Sequence, residues 1–318
     1  MSAAPITTVT TVVETIEDGG AGVKLFSLVD PDHWELPPFR PGAHIDLHLP
    51  GGMVRTYSLC NDPADDGRYL VAVKREGCGR GGSVKLHDEI RVGDSIGVSL
   101  PRGGLDLPDD VERFIFVAGG IGVTPFLSAA AFLQRTGGAD FTLHVLSRGE
   151  PPLRRLLAPL AASGHLVLHD TAARARPALA TIIGRQQRHI GLGCCGPESM
   201  IDDFEHAAGD WPAERVHIER FVPPPLPVDP NAKPYTLVLA RSRLETRVAP
   251  GQTMLSAIQS LNVDIPASCC GGICGSCKVN WLEGTPVHRD RVLSLAERAR
   301  SLMVCVAGSA DERLVLDL

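Results

Sequence analysis

The alternation of apolar and polar residues along the first third of the chain predicts short β-strands. Residues 44–49, HIDLHL, show the pattern, and glycine or proline turns separate this segment from its neighbours. Strands are predicted at 9–15, 23–28, 44–49, 55–59, 69–74 and 95–99. Such a series predicts an antiparallel β-barrel or sandwich up to about residue 105.

After Pro108 apolar strands alternate with helix-sized segments. Strands are predicted at 114–117, 141–146, 166–168, 190–194 and 215–218, which predicts a parallel sheet with helices on both faces. Residues 114–133 carry no charge and are long enough to cross a bilayer. Gly119, Gly120, Gly122 and Pro125 interrupt this run, so we interpret it as a buried strand, a turn and a packed helix.

A proline-rich segment separates this part from the last stretch of the chain. Residues 222–230, VPPPLPVDP, contain five prolines and predict an extended connector. Beyond it we predict a hairpin at 235–240 and 244–248 and a helix at 254–262, followed by a cysteine-rich loop. The chain therefore reads as three domains, at 1–105, 106–222 and 234–318, with a linker at 223–233.

Composition narrows the class of protein. The formal charge is −6, from 31 basic and 37 acidic residues that are well mixed, so neither nucleic acid nor an anionic membrane is expected as partner. Residues 1–20 show no secretory signal. Nine cysteines without such a signal favour a reducing, cytoplasmic setting in which grouped thiols bind metal.

Four of the cysteines have the spacing of a plant-type [2Fe–2S] centre. Cys269, Cys274 and Cys277 fit C-x4-C-x2-C, and Cys305 is the distant fourth ligand. The loop must wrap around the cluster so that backbone N–H groups approach the sulfurs, which small residues permit. Gly271, Gly272, Gly275 and Ser276 occupy the loop. The last stretch is therefore predicted to be a ferredoxin module.

The spacing of the cysteines leaves open the identity of the metal and the role of Cys270. Four thiolates also hold zinc, although structural zinc sites usually show two C-x2-C pairs and this chain has one pair and two singles. Cys270 fits no ligand position, because counting from it gives three residues before Cys274. We interpret it as a bystander thiol.

The predicted barrel contains residues suited to an anion and an aromatic ring. Arg55 and the turn Gly81-Gly82-Ser83 could bind a phosphate, Tyr57 offers a ring face and Ser58 a hydroxyl. Taken singly, an arginine on a strand is usually a solvated side chain and a glycine-rich loop is usually a turn. These signals are weak until they are combined.

Two strand ends in the α/β part carry glycine turns. Residues 118–125, AGGIGVTP, follow a buried strand, with Thr124 expected as the N-cap and Pro125 as the first helical residue, an arrangement that favours a pyrophosphate. The glycines do not form G-x-G-x-x-G, and packing alone could require them. Residues 194–200, CCGPESM, repeat the arrangement, and both loops are expected at the same sheet edge; Cys195 could also be a buried apolar residue.

These motifs, in this order, resemble the phthalate dioxygenase reductase family within the ferredoxin–NADP reductase superfamily. The resemblance covers essentially the whole chain and rests on Arg55-x-Tyr57-Ser58, on residues 119–125, on Cys195-Gly-Pro and on the cysteine loop. It implies an FMN-binding β-barrel, an NADH-binding α/β domain and a β-grasp ferredoxin domain. The implied activity is electron transfer from NADH through FMN and the cluster to a bacterial Rieske-type oxygenase that hydroxylates or O-demethylates aromatic compounds.

The resemblance also assigns roles to residues. Ser58, Thr124 and Cys195 would lie where the flavin meets the nicotinamide, and Phe221 would shield the flavin face, although it could equally be a core residue next to the linker. The remaining flavin contacts would be Arg55, Thr56, Tyr57, Ala72, Val73, Lys74, Gly81, Gly82 and Ser83. The remaining NADH contacts would be Gly119, Gly120, Gly122, Ser147, Arg148, Gly196 and Pro197. The choices of FMN over FAD and of NADH over NADPH rest on the resemblance alone.

Chemistry supports the combination of cofactors. NADH delivers two electrons as a hydride and a [2Fe–2S] cluster accepts one, so a flavin is needed between them. We expect the protein to be a monomer.

Two other functions are considered beside the oxygenase reductase. One is a stand-alone NADH oxidase or ferric reductase that does not pass electrons out through the cluster, and the other is an iron–sulfur sensor or binding protein.

Overall fold

The computed structural model describes residues 8–223 and 232–318, which form two compact units, Met1–Arg220 and Phe221–Leu318. The boundary between the units lies next to the predicted start of the proline-rich connector. Most of that connector, residues 224–231, lies outside the described residues, as do residues 1–7 at the N-terminus. The predicted division into three domains and a linker stays a prediction.

The first unit begins with an antiparallel sheet, as the alternation of apolar and polar residues predicts. Its strands are β1 (Thr8–Gly20), β2 (Val23–Val29), β3 (Ala43–Leu49), β4 (Met53–Ser58), β5 (Tyr69–Lys74), β6 (Ser95–Ser99) and β7 (Arg102–Gly103). The order is β4-β3-β6-β1-β2-β5, with β7 paired to β3. An antiparallel bridge between Leu59 and Val71 joins the two ends and closes the barrel. Its interior is filled by apolar side chains such as Phe26, Ile45 and Val98.

A short helix in the barrel domain was not predicted. Helix α1 (Gly82–Asp88) begins where the glycine-rich sequence predicts only a turn, and Gly81, in the left-handed conformation at φ 80°, precedes it. Glycine adopts this conformation without steric cost, so it can change the chain direction directly before the helix.

The second half of the first unit is a parallel five-stranded sheet. Its strands are β8 (Arg113–Gly119), β9 (Asp140–Ser147), β10 (Leu166–Asp170), β11 (Ile190–Cys195) and β12 (Val216–Glu219), in the order β10-β9-β8-β11-β12. The helices are α2 (Thr124–Thr136), α3 (Arg154–Ala162), α4 (Leu179–Ile183) and α5 (Glu198–Ala207). Side chains of β8 alternate between two cores, one with α2 and α3 and the other with α4 and α5. Both sheet faces are therefore covered, as predicted.

The uncharged run at 114–133 consists of β8, a 3₁₀ turn and most of α2, so it is buried strand, turn and helix as interpreted from the sequence. Within the described part of the chain, no helix combines the length and the apolar character needed to cross a membrane.

The second unit is a mixed sheet covered by one helix. Its strands are β13 (Tyr235–Leu239), β14 (Leu244–Val248), β15 (Lys278–Glu283), β16 (Pro286–Val287), β17 (Ser301–Met303), β18 (Gly308–Ser309) and β19 (Arg313–Leu316), and its helices are α6 (Met254–Ser260) and α7 (Leu295–Arg298). The main sheet has the order β14-β13-β19-β15-β17, with β13 and β19 parallel. The predicted hairpin and helix are present, and this is the expected β-grasp arrangement. The helix ends at Ser260, two residues before the predicted end.

Candidate functional site

The four candidate iron ligands come from two segments of the second unit. Cys269, Cys274 and Cys277 lie in the loop between α6 and β15, and Cys305 follows β17. Contacts between the sulfurs of Cys269 and Cys274, of Cys269 and Cys305, and of Cys277 and Cys305 bring all four together. The fold thus assembles the thiols that the spacing selects.

Backbone N–H groups of the loop point at these sulfurs. Gly271 and Ile273 donate to Cys269 Sγ over 3.4 and 3.5 Å, and the Cys269 N–H donates to Cys274 Sγ over 3.5 Å. Such donors stabilise sulfur that carries negative charge. The donor set fits a cluster held by thiolates.

Cys270 is turned away from this group of sulfurs. It adopts the left-handed conformation at φ 56°, its side chain is exposed, and its sulfur contacts the Ser268 carbonyl at 3.8 Å. The interpretation of Cys270 as a bystander thiol agrees with this placement.

The predicted flavin strand β4 presents its residues on two faces. Arg55 and Tyr57 share one face, and Thr56 and Ser58 share the other, because side chains alternate along a strand. Burial raises the pKa of Tyr57 to about 12, so its hydroxyl stays neutral. The Thr56 hydroxyl donates to buried Asp46 over 2.6 Å, which shows that Thr56 also has a structural role.

The phosphate candidates Arg55 and the 81–83 turn do lie together. A Cβ added to Gly82 would lie 2.4 Å from the Arg55 side chain, so the arginine occupies the space that glycine leaves open. The Arg55 guanidinium also donates to the carbonyls of Val54 and Arg80. Ser83 Oγ accepts from the Glu76 N–H over 3.0 Å, which ties the turn to the end of β5.

The candidates on β5 differ in exposure. Val73 is fully buried in the barrel core and Ala72 is 5% exposed in the core shared with the α/β sheet. A flavin could therefore contact their backbone but not the Val73 side chain. Lys74 is exposed at the strand end and pairs with Glu76 at 2.5 Å.

The two glycine loops meet at the carboxyl edge of the parallel sheet, as predicted. Cys195 lies opposite Ala118 in the register of β11 and β8. A Cβ on Gly122 would lie 2.2 Å from the Cys195 carbonyl oxygen, and one on Gly119 would lie 2.6 Å from the ring of Pro197. A Cβ on Gly196 would lie 3.1 Å from the Gly119 backbone. Close packing of the two loops is therefore one reason for these glycines, whatever they bind.

The predicted cap of α2 is wrong. A 3₁₀ turn, Gly120–Val123, precedes the helix, so Thr124 is its first residue and Pro125 its second. The Thr124 hydroxyl does not accept from a helix N–H; it donates to the Ile121 carbonyl over 3.1 Å. Gly120 starts the 3₁₀ turn at φ 53°, a conformation that favours glycine.

The end of β9 carries Ser147 and exposed Arg148, next to a carboxylate that the sequence did not single out. Asp170 Oδ1 at the end of β10 accepts from the backbone N–H groups of Gly149, Ala172 and Ala173 over 2.9, 2.9 and 3.3 Å. These donors lower the pKa of Asp170, so it stays ionised. Ser147 Oγ donates to the Gly149 carbonyl over 2.8 Å.

A second carboxylate, Glu219, joins the barrel to the parallel sheet and was also missed. Ser58 Oγ donates to Glu219 Oε1 over 3.0 Å, and Glu219 lies opposite Cys195 in the register of β12 and β11. Part of the Glu219 side chain is accessible to solvent. The carboxyl group itself is densely packed, and this burial raises its pKa to about 7. The hydrogen bond from Ser58 acts in the opposite direction and lowers the pKa. Burial and the nearby Glu219 charge raise the pKa of Cys195 well above its usual value.

Phe221, the predicted flavin shield, belongs to the second unit and is 40% exposed. Its assignment to the flavin face stays a prediction.

Comparison with known proteins agrees with this combination of sites. The family described as "2Fe-2S iron-sulfur cluster binding domain" matches residues 237–308, which include all four candidate ligands. Phenoxybenzoate dioxygenase subunit beta of Ectopseudomonas oleovorans is 40% identical over 322 residues, covering 100% of this chain and 99% of that protein. Phthalate dioxygenase reductase of Burkholderia cepacia is 37% identical over 303 residues, 92% of each chain.

A solved structure of phthalate dioxygenase reductase, described as modular for electron transfer from pyridine nucleotides to [2Fe–2S], covers 98% of both chains with a TM-score of 0.73 and 34% identity. Barrel, α/β sheet and ferredoxin module together define a flavoprotein reductase fused to a plant-type ferredoxin. The chain belongs to the phthalate dioxygenase reductase family. It is an NADH-dependent oxidoreductase with FMN and a [2Fe–2S] cluster as cofactors, and the match at residues 237–308 supports the iron–sulfur cluster over zinc.

Proposed function

We propose that the protein is the reductase component of a Rieske-type oxygenase that hydroxylates or O-demethylates an aromatic compound. One observation carries the proposal: a single chain brings two glycine loops together at the carboxyl edge of a parallel sheet and assembles four cluster ligands, and relatives aligned over nearly their full length are named for aromatic dioxygenases. The cluster provides an exit for single electrons, which suits delivery to a protein acceptor.

The hydride-transfer site is proposed to lie around Ser58, Glu219 and Cys195. FMN, when bound, accepts a hydride from NADH and passes on single electrons. NADH becomes positively charged at its nicotinamide as the hydride leaves, and ionised Glu219 stabilises that charge. The Ser58 hydroxyl donates to Glu219 and orients its carboxylate.

Cys195 and Thr124 are proposed to shape the nicotinamide pocket. The raised pKa of Cys195 keeps it a neutral thiol, so it acts as a small apolar contact that excludes water and not as a nucleophile. Buried Thr124 holds the preceding turn through its bond to the Ile121 carbonyl.

The FMN phosphate is proposed to lie at Gly81, Gly82 and Ser83. Arg55, which packs on Gly82, supplies positive charge, and the backbone around left-handed Gly81 supplies N–H donors. Tyr57, on the Arg55 face of β4, is proposed to contact the flavin ring.

Asp170 is proposed to select NADH over NADPH. Its Oδ1 is held by three backbone N–H groups, and the second carboxylate oxygen can accept from a ribose hydroxyl while repelling a 2′-phosphate. We expect Asp170→Asn, which keeps an acceptor and removes the charge, to reduce the preference for NADH about tenfold, or ~1.4 kcal/mol. The measurement is kcat/KM for NADH and NADPH in reduction of ferricyanide.

Asp140→Asn is the matched control, because Asp140 begins β9 at the opposite edge of the sheet. Its preference for NADH should equal that of the wild type. An unchanged preference in Asp170→Asn would contradict the proposal and shift attention to Arg148.

The oxygenase is proposed to dock on the exposed face beside the cluster. Arg291 is exposed, and its backbone N–H donates to the Gly272 carbonyl in the cluster loop over 3.0 Å. From residue 232 onward the chain has ten basic and eight acidic residues, although the whole chain has a charge of −6. An acidic partner surface would complement the module, and such charges set association rates more than affinity.

Accordingly, we expect Arg291→Glu to slow reduction of the oxygenase about tenfold at low salt and much less at high salt, because salt screens exposed charges. The rate of flavin reduction by NADH should not change. The measurement is stopped-flow reduction of the oxygenase at several ionic strengths. Arg247→Glu on the edge strand β14 is the matched control, and equal effects of both variants would contradict a specific docking face.

The proposed function itself is tested by reconstitution. The holoprotein with NADH is combined with a panel of purified terminal oxygenases and aromatic substrates, and product formation is measured beside direct reduction of oxygen and ferric chelates. Substrate turnover that requires the intact cluster supports the proposal. Rapid reduction of oxygen or ferric iron that continues without the cluster would support the stand-alone reductase instead.

A further inference from the structure

The segment from His288 to Arg291 touches both stretches of chain that carry iron ligands. The Arg291 N–H donates to the Gly272 carbonyl over 3.0 Å, and Gly272 lies between Cys269 and Cys274. Arg289 Nη1 donates to the Val306 carbonyl over 3.4 Å, directly after Cys305. This segment therefore links the three-cysteine loop to the fourth ligand.

Packing at Gly272 makes the link tight. A Cβ on Gly272 would lie 2.8 Å from Val306 Cγ2 and 3.0 Å from Asp290 Cα, and Gly272 has a φ of 72°. The cluster loop thus lies directly between the Asp290 backbone and the Cys305 segment. A movement at Asp290 would be passed to both ligand-bearing stretches, because no free space separates them.

At the centre of this segment is a buried carboxylate. The Asp290 side chain is fully buried, and its Oδ2 accepts from the backbone N–H groups of Leu293 and Val292 over 2.9 and 3.3 Å. Arg298 Nη2 donates to the Asp290 carbonyl over 2.7 Å and lies 3.6 Å from Oδ2. A buried charge is costly unless it is compensated, and these contacts compensate one of the two oxygens.

The other oxygen, Asp290 Oδ1, has no hydrogen-bond partner within the described residues. Two buried nitrogens of neighbouring side chains also have no hydrogen-bond partner there: His288 Nδ1, which is 3.6 Å from Oδ1, and Arg298 Nε. The carboxylate charge is therefore only partly neutralised by direct hydrogen bonds. In a region of low dielectric such a charge acts over longer distances than it would in water.

We propose that Asp290 is a positioning residue for the cluster and that its charge lowers the cluster's reduction potential. Reduction adds one electron to a centre that already carries thiolate charge, and a buried anion behind the loop opposes that addition. Arg298 raises the reduction potential of the cluster, because its positive charge partly offsets the charge of Asp290. The inference concerns the cluster alone, so it stands or falls independently of the oxygenase partner.

Asp290→Asn tests the proposal in the full-length holoprotein. The amide oxygen can still accept from Leu293, so we expect full cluster content by absorption and iron analysis. We expect the midpoint potential of the cluster, followed by EPR in a redox titration, to shift to more positive values. The matched control is Asp317→Asn, another carboxylate of the same unit, which pairs with Arg241 at the surface; its potential should equal that of the wild type.

Arg298→Gln supplies a second test with the opposite sign. Removing the positive charge beside Asp290 should shift the potential to more negative values. A shift of the same sign in both variants would show a general disturbance of the loop and overturn the role of charge. An unchanged potential in either cluster-loaded variant would overturn it too. If the Asp290→Asn protein does not bind the cluster, the sign of the change in midpoint potential in Arg298→Gln is the remaining test of the proposal.

Discussion

Replacement of Cys305 by serine is expected to abolish electron delivery to one-electron protein acceptors while leaving reduction of FMN by NADH within about twofold of the wild-type rate. Cys305 is the only one of the four ligands outside the loop, and its sulfur contacts those of Cys269 and Cys277. Without it the two ligand segments no longer close around the cluster. The proposed hydride-transfer residues Ser58, Cys195 and Glu219 lie in the first unit, whereas the cysteine loop lies in the second.

Cys270→Ser is the matched control, since it is the same substitution in the cluster loop at an exposed cysteine that contacts none of the ligand sulfurs. Flavin reduction is followed by stopped-flow absorption, and protein reduction is followed with cytochrome c as acceptor. Unchanged delivery by a cluster-free Cys305→Ser protein would show that electrons leave directly from the flavin. Loss of delivery in Cys270→Ser would contradict the assignment of ligands.

The second large effect is expected at Glu219. The pKa of its carboxyl group is raised to about 7, so it is protonated below that pH and ionised above it. Because the ionised form stabilises the nicotinamide charge, the rate of flavin reduction by NADH should rise through pH 7 and level off above it. Glu219→Gln should lower the rate at pH 8 by about 10- to 100-fold, or ~1.4–2.8 kcal/mol, and flatten the pH profile.

Stopped-flow measurement of flavin reduction between pH 5.5 and 8.5 checks this expectation. Glu205→Gln, which removes an exposed carboxylate paired with Arg220 on the same unit, should keep both the rate and the pH profile. A Glu219→Gln variant with the wild-type rate and the same rise near pH 7 would show that another group titrates. A profile that falls through pH 7 in the wild type would contradict the role of the ionised form.

The strands and the iron–sulfur site could be predicted from the sequence because both depend mainly on residues close together in the chain. The predicted strands at 69–74, 95–99 and 244–248 have the bounds observed, since glycine, proline and polar turns stop each of them. The cluster ligands follow from spacing within one loop plus one distant cysteine. For the strands and for the three ligands of the loop, neighbouring residues carry the information.

Errors arose where local signals compete or where partners are distant. The sequence Gly81-Gly82-Ser83 is typical of a turn, yet the chain continues into α1 because Gly81 takes the left-handed conformation. Thr124 and Pro125 are typical of a helix start, but the 3₁₀ turn ahead of them moves Thr124 into the helix. In the second case, the turn is packed closely, with Gly122 against Cys195 and Gly119 against Pro197, and local propensity does not report such contacts.

The sequence singled out none of the three carboxylates to which roles are proposed above. Glu219 and Ser58 are 161 residues apart, so only the folded chain brings them into contact. Asp170 and Asp290 owe their roles to backbone N–H groups and to packing that follow from loop geometry. A single aspartate or glutamate in a sequence is usually solvated, and nothing in the pattern around these residues marks them as different.

Electrons are expected to pass from NADH to the flavin and from the flavin to the cluster. Anaerobic titration of the holoprotein with NADH, followed by absorption and EPR, measures this transfer. We expect the flavin and iron–sulfur bands both to bleach, the protein to take up more electrons than a flavin alone can hold, and the EPR signal of a reduced [2Fe–2S] cluster to develop. Full bleaching of the flavin with the cluster still oxidised and without an EPR signal would contradict this expectation.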